Sequence, residues 1–141
     1  MFEQCIYFNI NKLTRRVNRI WEQAFKAVNL SPSHGYLLRV VLEQPGITCK
    51  ALAEVLDLKL STVTRFVDTL VAKDLLERKK ASEDKRESNI YPTKKAKKIE
   101  QTLLDVSKNL GRLIRHELGE NDVNKTLQKI KLLNKKMDQK K

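Results

Sequence analysis

The middle of the chain carries two short helix patterns, separated by a tight turn and followed at once by a charged hairpin pattern. Thr48 is placed to cap the helix of "CKALAEVL", and Ser61 is placed to cap the helix of "TVTRFVDTLVAKD". The turn between them is "DLKL", and β-type runs follow in "LLERKK" and "SNIY". Two short helices with a tight turn, followed by two strands, have the order of a winged helix-turn-helix.

Longer helix patterns flank this segment on both sides. Ser31 and Pro32 are typical of an N-cap and a first helical residue, and "QPG" ends the helix that they begin. Thr93 is placed to cap a helix after the hairpin, and "LGEND" separates that helix from a last one. Apolar residues recur at steps of three and four along the first and the last two helices, at Ile10, Leu13, Val17, Ile20, Trp21, Ala24 and Val28, at Ile99, Leu103, Val106, Leu110 and Leu113, and at Val123, Leu127, Ile130, Leu133 and Met137. We therefore predict a mainly α fold with a small β-hairpin wing, in a single domain of residues 1–141.

The net charge of the chain indicates what kind of partner it has. The charge is +12, from 29 basic and 17 acidic residues, which favours nucleic acid or an anionic membrane surface. No apolar run approaches the roughly 20 residues that span a bilayer, and the start does not resemble a signal peptide. We therefore expect a cytoplasmic protein that does not bind a membrane. Two cysteines are too few for a disulfide framework or a metal cluster, so no metal or cofactor is predicted.

The second of the two short helices has a polar face suited to DNA. At 100° per residue, Val63, Phe66, Val67 and Leu70 fall on one face, and Ser61, Arg65, Asp68 and Thr69 fall opposite, with Thr62 and Thr64 on the flanks. Such a face can lie in a major groove about 12 Å wide, where Arg65 is the candidate for bidentate contact with guanine. Ser61, Thr62 and Thr64 suit phosphate or base contacts near the helix N-terminus, and Thr69 lies on the same face. A solvated polar face is the alternative, but threonines are not favoured on helices for stability.

The hairpin concentrates the basic charge. Residues 78–98 hold nine basic and three acidic residues, a surplus equal to half of the net charge. Basic side chains beside a recognition helix are drawn to the minor groove, and we assign this role to Lys79, Lys80, Lys85 and Arg86. Asp84 would repel DNA, so we expect it to pair with a nearby arginine and to hold the loop.

The chain resembles the multiple-antibiotic-resistance regulator (MarR) family of bacterial transcription factors over nearly its whole length. The most specific matches are "STVTRFVDTL", "KDLLERK" and the Asp84-Lys85-Arg86 triplet. The resemblance implies a winged helix-turn-helix lobe at residues 30–95 and a homodimer formed by helices within residues 5–28 and 96–137. It also implies that Arg86 enters the minor groove and that Asp84 orients the wing. Asp74 stands where the family usually has glycine, and Pro92, Thr93 and Ala96 replace its usual Leu-Thr-x-x-Gly pattern.

Similar proteins often bind small aromatic or phenolic effectors in a crevice between the dimer helices and the DNA-binding lobe. Tyr7, Trp21, His34 and Tyr36 could line such a crevice, although packing in a core or an interface is the alternative for each of them. Cys5 is similar in position to the thiol switches of some family members, and an adduct at Cys49 could disturb DNA binding. Reactivity of either thiol requires a lowered pKa and access.

No pattern for catalysis is present. Ser33 and His34 lack an acidic partner, and no zinc-protease, P-loop or dinucleotide motif occurs. We therefore do not expect an enzyme. The leading hypothesis is a homodimeric regulator, most often a repressor in such families, that binds an inverted repeat in double-stranded DNA. A non-specific architectural DNA-binding protein and a peripheral membrane or partner-binding helical module are the alternatives.

Overall fold

A computed structural model of the chain describes residues 1–80 and 88–139. The chain divides into two compact units, Met1–Val106 and Ser107–Lys141, and each is described by itself.

The first unit contains most of the secondary structure. Helix α1 (Ile6–Phe25) is followed by a 3₁₀ turn (Lys26–Val28), α2 (Pro32–Glu43), strand β1 (Ile47–Thr48), α3 (Cys49–Leu56), α4 (Leu60–Ala72), β2 (Leu76–Lys80) and β3 (Ser88–Pro92). Helix α5 (Lys94–Leu118) begins in this unit and ends in the second, which also contains α6 (Glu120–Asp138). The predicted mainly α fold with a β-hairpin wing is confirmed.

Three of the four predicted helix caps are confirmed by hydrogen bonds. Ser31 Oγ accepts from the His34 amide at 3.3 Å, Thr48 Oγ1 from the Ala51 amide at 3.2 Å, and Thr93 Oγ1 from the Ala96 amide at 3.2 Å. These bonds satisfy amides that a helix start leaves without a partner.

The predicted cap at Ser61 is wrong. Helix α4 begins at Leu60, and its N-cap residue is Lys59, whose side chain makes no capping hydrogen bond. The amides of Thr62 and Val63 donate to the Lys59 carbonyl at 3.0 and 3.1 Å, so the first turn already closes on Lys59. Ser61 consequently lies inside the first turn of the helix.

The sheet has three antiparallel strands in the order β1-β3-β2. Strands β2 and β3 form the predicted hairpin, with Leu76 opposite Pro92 at one end and Lys80 opposite Ser88 at the other. Strand β1 was not predicted, because two residues are too short to show a periodic pattern; it pairs Ile47 with Ile90. Since α3 starts directly after β1, this pairing attaches α3 to the base of the wing.

Asp74 occupies a left-handed turn between α4 and β2. Its φ is +58°, a conformation that glycine adopts freely and that Asp and Asn adopt more readily than other side chains. Thr93 holds this turn, because its hydroxyl donates to the Asp74 carbonyl at 2.8 Å and its amide donates to the Leu75 carbonyl at 3.1 Å. The chain therefore keeps, with an aspartate, a turn in which glycine is usual in the family that it resembles.

The second unit exposes a long apolar stripe. Gly119, at φ +84°, separates α5 from α6, and Arg115 bonds both Glu120 and Asn124 across this joint. Val123 is buried, whereas the apolar side chains further along α6 are exposed: Leu127, Ile130, Leu132, Leu133 and Met137. Within residues 1–80 and 88–139, no helix combines the length and the hydropathy needed to cross a membrane.

Candidate nucleic-acid interface

Helix α4 separates an apolar face from a polar one, as its sequence predicts. Val63, Val67 and Leu70 are completely buried, and Phe66 is half-buried. The predicted contact residues lie on the other side, exposed except for the half-buried Thr62: Ser61, Thr62, Thr64, Arg65 and Thr69. The helix is thus held by its apolar face and presents its polar face to solvent.

Two threonines on the polar face use their hydroxyl protons in hydrogen bonds to the helix backbone. Thr64 Oγ1 donates to the Leu60 carbonyl at 2.9 Å, and Thr69 Oγ1 donates to the Arg65 carbonyl at 3.0 Å. A hydroxyl bonded in this way keeps its oxygen lone pairs, so it can accept a hydrogen bond from a base amino group. In this conformation neither threonine offers a donor to a phosphate oxygen.

Arg65 and the start of α4 supply the donors that the threonines do not. Arg65 is exposed, and in the described part of the chain no carboxylate pairs with its guanidinium. No side chain caps α4, and the amides of Thr62 and Val63 are bonded to the Lys59 carbonyl, so the amides of Leu60 and Ser61 remain at the positive helix end, which is of the kind that binds phosphate.

The wing is fastened to α4 by an ion pair. Arg78 Nη2 in β2 donates to Asp68 Oδ1 in α4 at 2.6 Å, and the two side chains are 34% and 56% exposed. This pair was not predicted from the sequence, where the bracing role was assigned to Asp84 alone. No local signal could have revealed it, because the two residues are ten positions apart and meet only after the hairpin packs beside the helix.

The basic residues assigned to the wing differ in how they are held. Lys79 Nζ lies 3.1 Å from Glu77 Oε1 and 4.9 Å from the centre of the Tyr91 ring, so a neighbouring charge and a π face restrain it. Lys80 is exposed at the end of β2. Lys85, Arg86 and Asp84 lie outside the described residues.

The predicted crevice residues fall in three different places. Trp21 Nε1 donates to the Tyr36 hydroxyl at 3.1 Å, so these two form one aromatic pair. Tyr7 is fourteen residues before Trp21 on α1, about 21 Å along the helix axis, and is 77% exposed. The His34 ring is instead packed against Phe66, with 4.6 Å between the ring centres, and its Nδ1 lies 2.6 Å from Ser31 Oγ. Within one chain, only Trp21 and Tyr36 come together.

His34 and Cys49 have shifted pKa values. Burial lowers the pKa of His34, and the positive charge of Lys73 lowers it further, because both disfavour the imidazolium. Burial raises the pKa of the Cys49 thiol, against an opposing effect of Arg78. A raised pKa reduces the thiolate fraction, so Cys49 is a poor nucleophile at neutral pH. Cys5, in contrast, is exposed just before α1.

Comparison with known proteins identifies the lobe. Residues 30–88 match the sequence model of the MarR family. No curated protein sequence matches the chain.

Solved structures share the fold along almost the entire chain. S. aureus MepR, solved as a DNA complex, has 17% identity and a TM-score of 0.86 over 95% of this chain and 99% of its own. FabT of Streptococcus pneumoniae, also solved with DNA, has 20% identity and a TM-score of 0.76 over 98% and 99%. The PcaV transcriptional regulator of Streptomyces coelicolor, solved with its natural ligand, has 16% identity and a TM-score of 0.85 over 96% and 95%. Residues 30–88 are thus similar to the MarR family, and the fold of the chain is shared with these solved regulators along nearly its whole length.

Proposed function

We propose that this protein is a homodimeric transcriptional repressor that binds an inverted repeat in double-stranded DNA and is released by a small-molecule or oxidative signal. The observation that carries the proposal is the exposed polar face of α4, with an arginine at its centre and a sheet hairpin fastened beside it. MepR and FabT, which share the fold, were both solved in complexes with DNA.

The exposed face of α4 has the dimensions of a reading surface. Ser61, Arg65 and Thr69 follow one another at intervals of four residues, so they form a ridge about 12 Å long. That length corresponds to three or four base pairs at about 3.4 Å each. Arg65 can make the bidentate contact with guanine, while the threonine oxygens can accept from amino groups on neighbouring bases.

Exposed apolar side chains support a homodimer. Helix α1 exposes six of them, at Ile6, Tyr7, Phe8, Ile10, Leu13 and Ile20. Helix α6 exposes its own stripe of five apolar side chains, at Leu127, Ile130, Leu132, Leu133 and Met137. Apolar surface of this extent marks an interaction site, and we assign it to a second copy of the chain. Two copies would carry two α4 helices to half-sites about one helical turn apart.

The release signal is the least constrained part of the proposal. PcaV was solved with its natural ligand, and we propose that this chain likewise binds a small aromatic or phenolic effector, at Trp21 and Tyr36. For an oxidative signal, exposed Cys5 is better suited than Cys49, whose thiol pKa is raised. A cytoplasmic location follows from a DNA partner.

Selection of bound sites from random duplexes tests the proposal. We expect an inverted repeat, and sedimentation of the intact chain at about twice 16.4 kDa. Arg65→Ala should weaken binding by about 1–3 kcal/mol and relax one base position in each half-site. Arg112→Ala is the control, because it removes an equal charge from an exposed position on α5; since residues 96–137 are assigned to the homodimer, sedimentation of this variant must match that of the parent.

The alternatives predict different outcomes. An architectural protein would bind all duplexes alike and select no sequence. A membrane-binding module would bind anionic vesicles and would be unaffected by loss of Arg65. Selected sites that are identical for the parent and the Arg65 variant would reduce Arg65 to a phosphate contact.

A further inference from the structure

An open groove of about 580 Å³ runs along one flank of α4. Leu60, Thr64 and Asp68, again at intervals of four residues, form the α4 wall. Lys50, at the start of α3, and Arg78, in β2, line the other sides, together with the half-buried Cys49 that precedes Lys50. The groove thus separates the recognition helix from the base of the wing.

The path of duplex DNA explains what such a groove would hold. A winged helix-turn-helix sets its recognition helix in a major groove and its wing in the adjacent minor groove. These two grooves are separated by one sugar–phosphate strand. That strand must therefore pass between α4 and the wing, where the groove lies.

The charges around the groove suit a phosphodiester. A guanidinium has five N–H donors; the hydrogen bond from Arg78 to Asp68 uses one of them, and the Arg78 side chain remains 34% exposed. Lys50 adds a second exposed cation. The carboxylate of Asp68 would repel a phosphate if it stood alone, but Arg78 neutralises it at 2.6 Å.

We propose that this groove binds the phosphodiester strand that separates the two DNA grooves, with Arg78 and Lys50 contacting phosphate and Asp68 acting as a positioning residue for Arg78. The proposal deepens the proposed function and rests on it. It adds two contacts that carry no base specificity, in contrast to Arg65, and it gives an acidic residue on the recognition helix a favourable role in DNA binding.

Lys50→Ala tests the phosphate contact with little risk to folding, because Lys50 is exposed. Affinity should fall by a similar factor for the selected site and for a scrambled duplex, and the salt slope should become shallower by about one for each protomer that touches DNA. The selected sequence should match that of the parent. A Lys50 variant with the parent's salt slope would overturn the phosphate contact.

Two substitutions at Asp68 test the positioning role. Asp68→Ala and Asp68→Asn both remove the negative charge, but only asparagine can still accept the hydrogen bond from Arg78. If Asp68 positions Arg78, the alanine variant should bind about tenfold more weakly than the asparagine variant at matched ionic strength. Equal, tighter binding by both variants would mean that Asp68 acts through charge alone and would overturn the positioning role.

Neutral methylphosphonates, introduced one at a time into the selected duplex, locate the contact. One substitution in each half-site, on the strand between the two DNA grooves, should weaken the parent but leave the Lys50 variant unchanged. If the protein selects an inverted repeat and no position shows this difference, the groove proposal fails alone. If it binds no duplex at all, both proposals fail.

Discussion

Replacing Gly35 with alanine should destabilise the protein, although alanine is the better helix former. Gly35 lies in the first half of α2, and an added Cβ would stand 2.7 Å from Cδ1 of Phe25 and 3.2 Å from a methyl carbon of Leu103. Cε1 of Phe25 would be closer still, and ordinary carbon contacts are about 3.5–4.0 Å, so the Phe25 ring would have to move by more than about an ångström. Phe25 and Leu103 are both completely buried, which leaves little space for that movement.

The expected size of the effect follows from two opposing contributions. Overpacking a tight core costs about 1–3 kcal/mol, whereas glycine to alanine in a helix gains about 1 kcal/mol. The control is Gly111→Ala in α5, where an added Cβ meets nothing within 4 Å. The control has the helix contribution alone, so it should stabilise the chain by about 1 kcal/mol. The two variants should therefore differ by about 1–3 kcal/mol, with Gly35→Ala the less stable.

Urea unfolding followed by circular dichroism measures this difference. Parent and both variants are compared at one protein concentration, because association would make the apparent stability depend on concentration. Thermal midpoints should follow the same order, at roughly 2–4 °C for each kcal/mol in a chain of this size. Equal stability of the two alanine variants would refute the argument that the contact with Phe25 requires glycine.

Two further predictions concern His34 and the cysteines. The pKa of His34 is lowered below its unfolded value of about 6.5, so the unfolded chain binds more protons as the pH falls through that value, and stability should decline there. In urea unfolding between pH 7.5 and 5.5, His34→Asn should flatten this decline, whereas His116→Asn, at an exposed position, should not. If the unfolding free energy of both variants changed with pH by the same amount, the burial effect would be contradicted. At pH 7, iodoacetamide should modify Cys5 faster than Cys49, because Cys5 is exposed and burial raises the pKa of Cys49. The modification rate of each thiol is measured in single-cysteine variants. Faster modification of Cys49 would reverse the assignment of the oxidative signal.

Local signals in the sequence were sufficient for the helices. The caps at Ser31, Thr48 and Thr93 formed as predicted, because a cap involves only residues within three positions of one another. The buried face of α4 was also predictable, since helical periodicity alone decides which side chains share a face. The start of α4 was not, because the Lys59 carbonyl and the Ser61 hydroxyl offered competing ways to close the first turn.

Contacts between distant segments were decided only by the tertiary structure. Asp68 and Arg78 meet because the hairpin packs beside α4, and β1 exists because β3 offers it an edge. Trp21 meets Tyr36 while Tyr7 stays far along α1, which no pattern of aromatic residues could have indicated. Periodicity and capping act within one or two helical turns. A side-chain pair between two elements depends on how those elements pack, and that is a property of the whole fold.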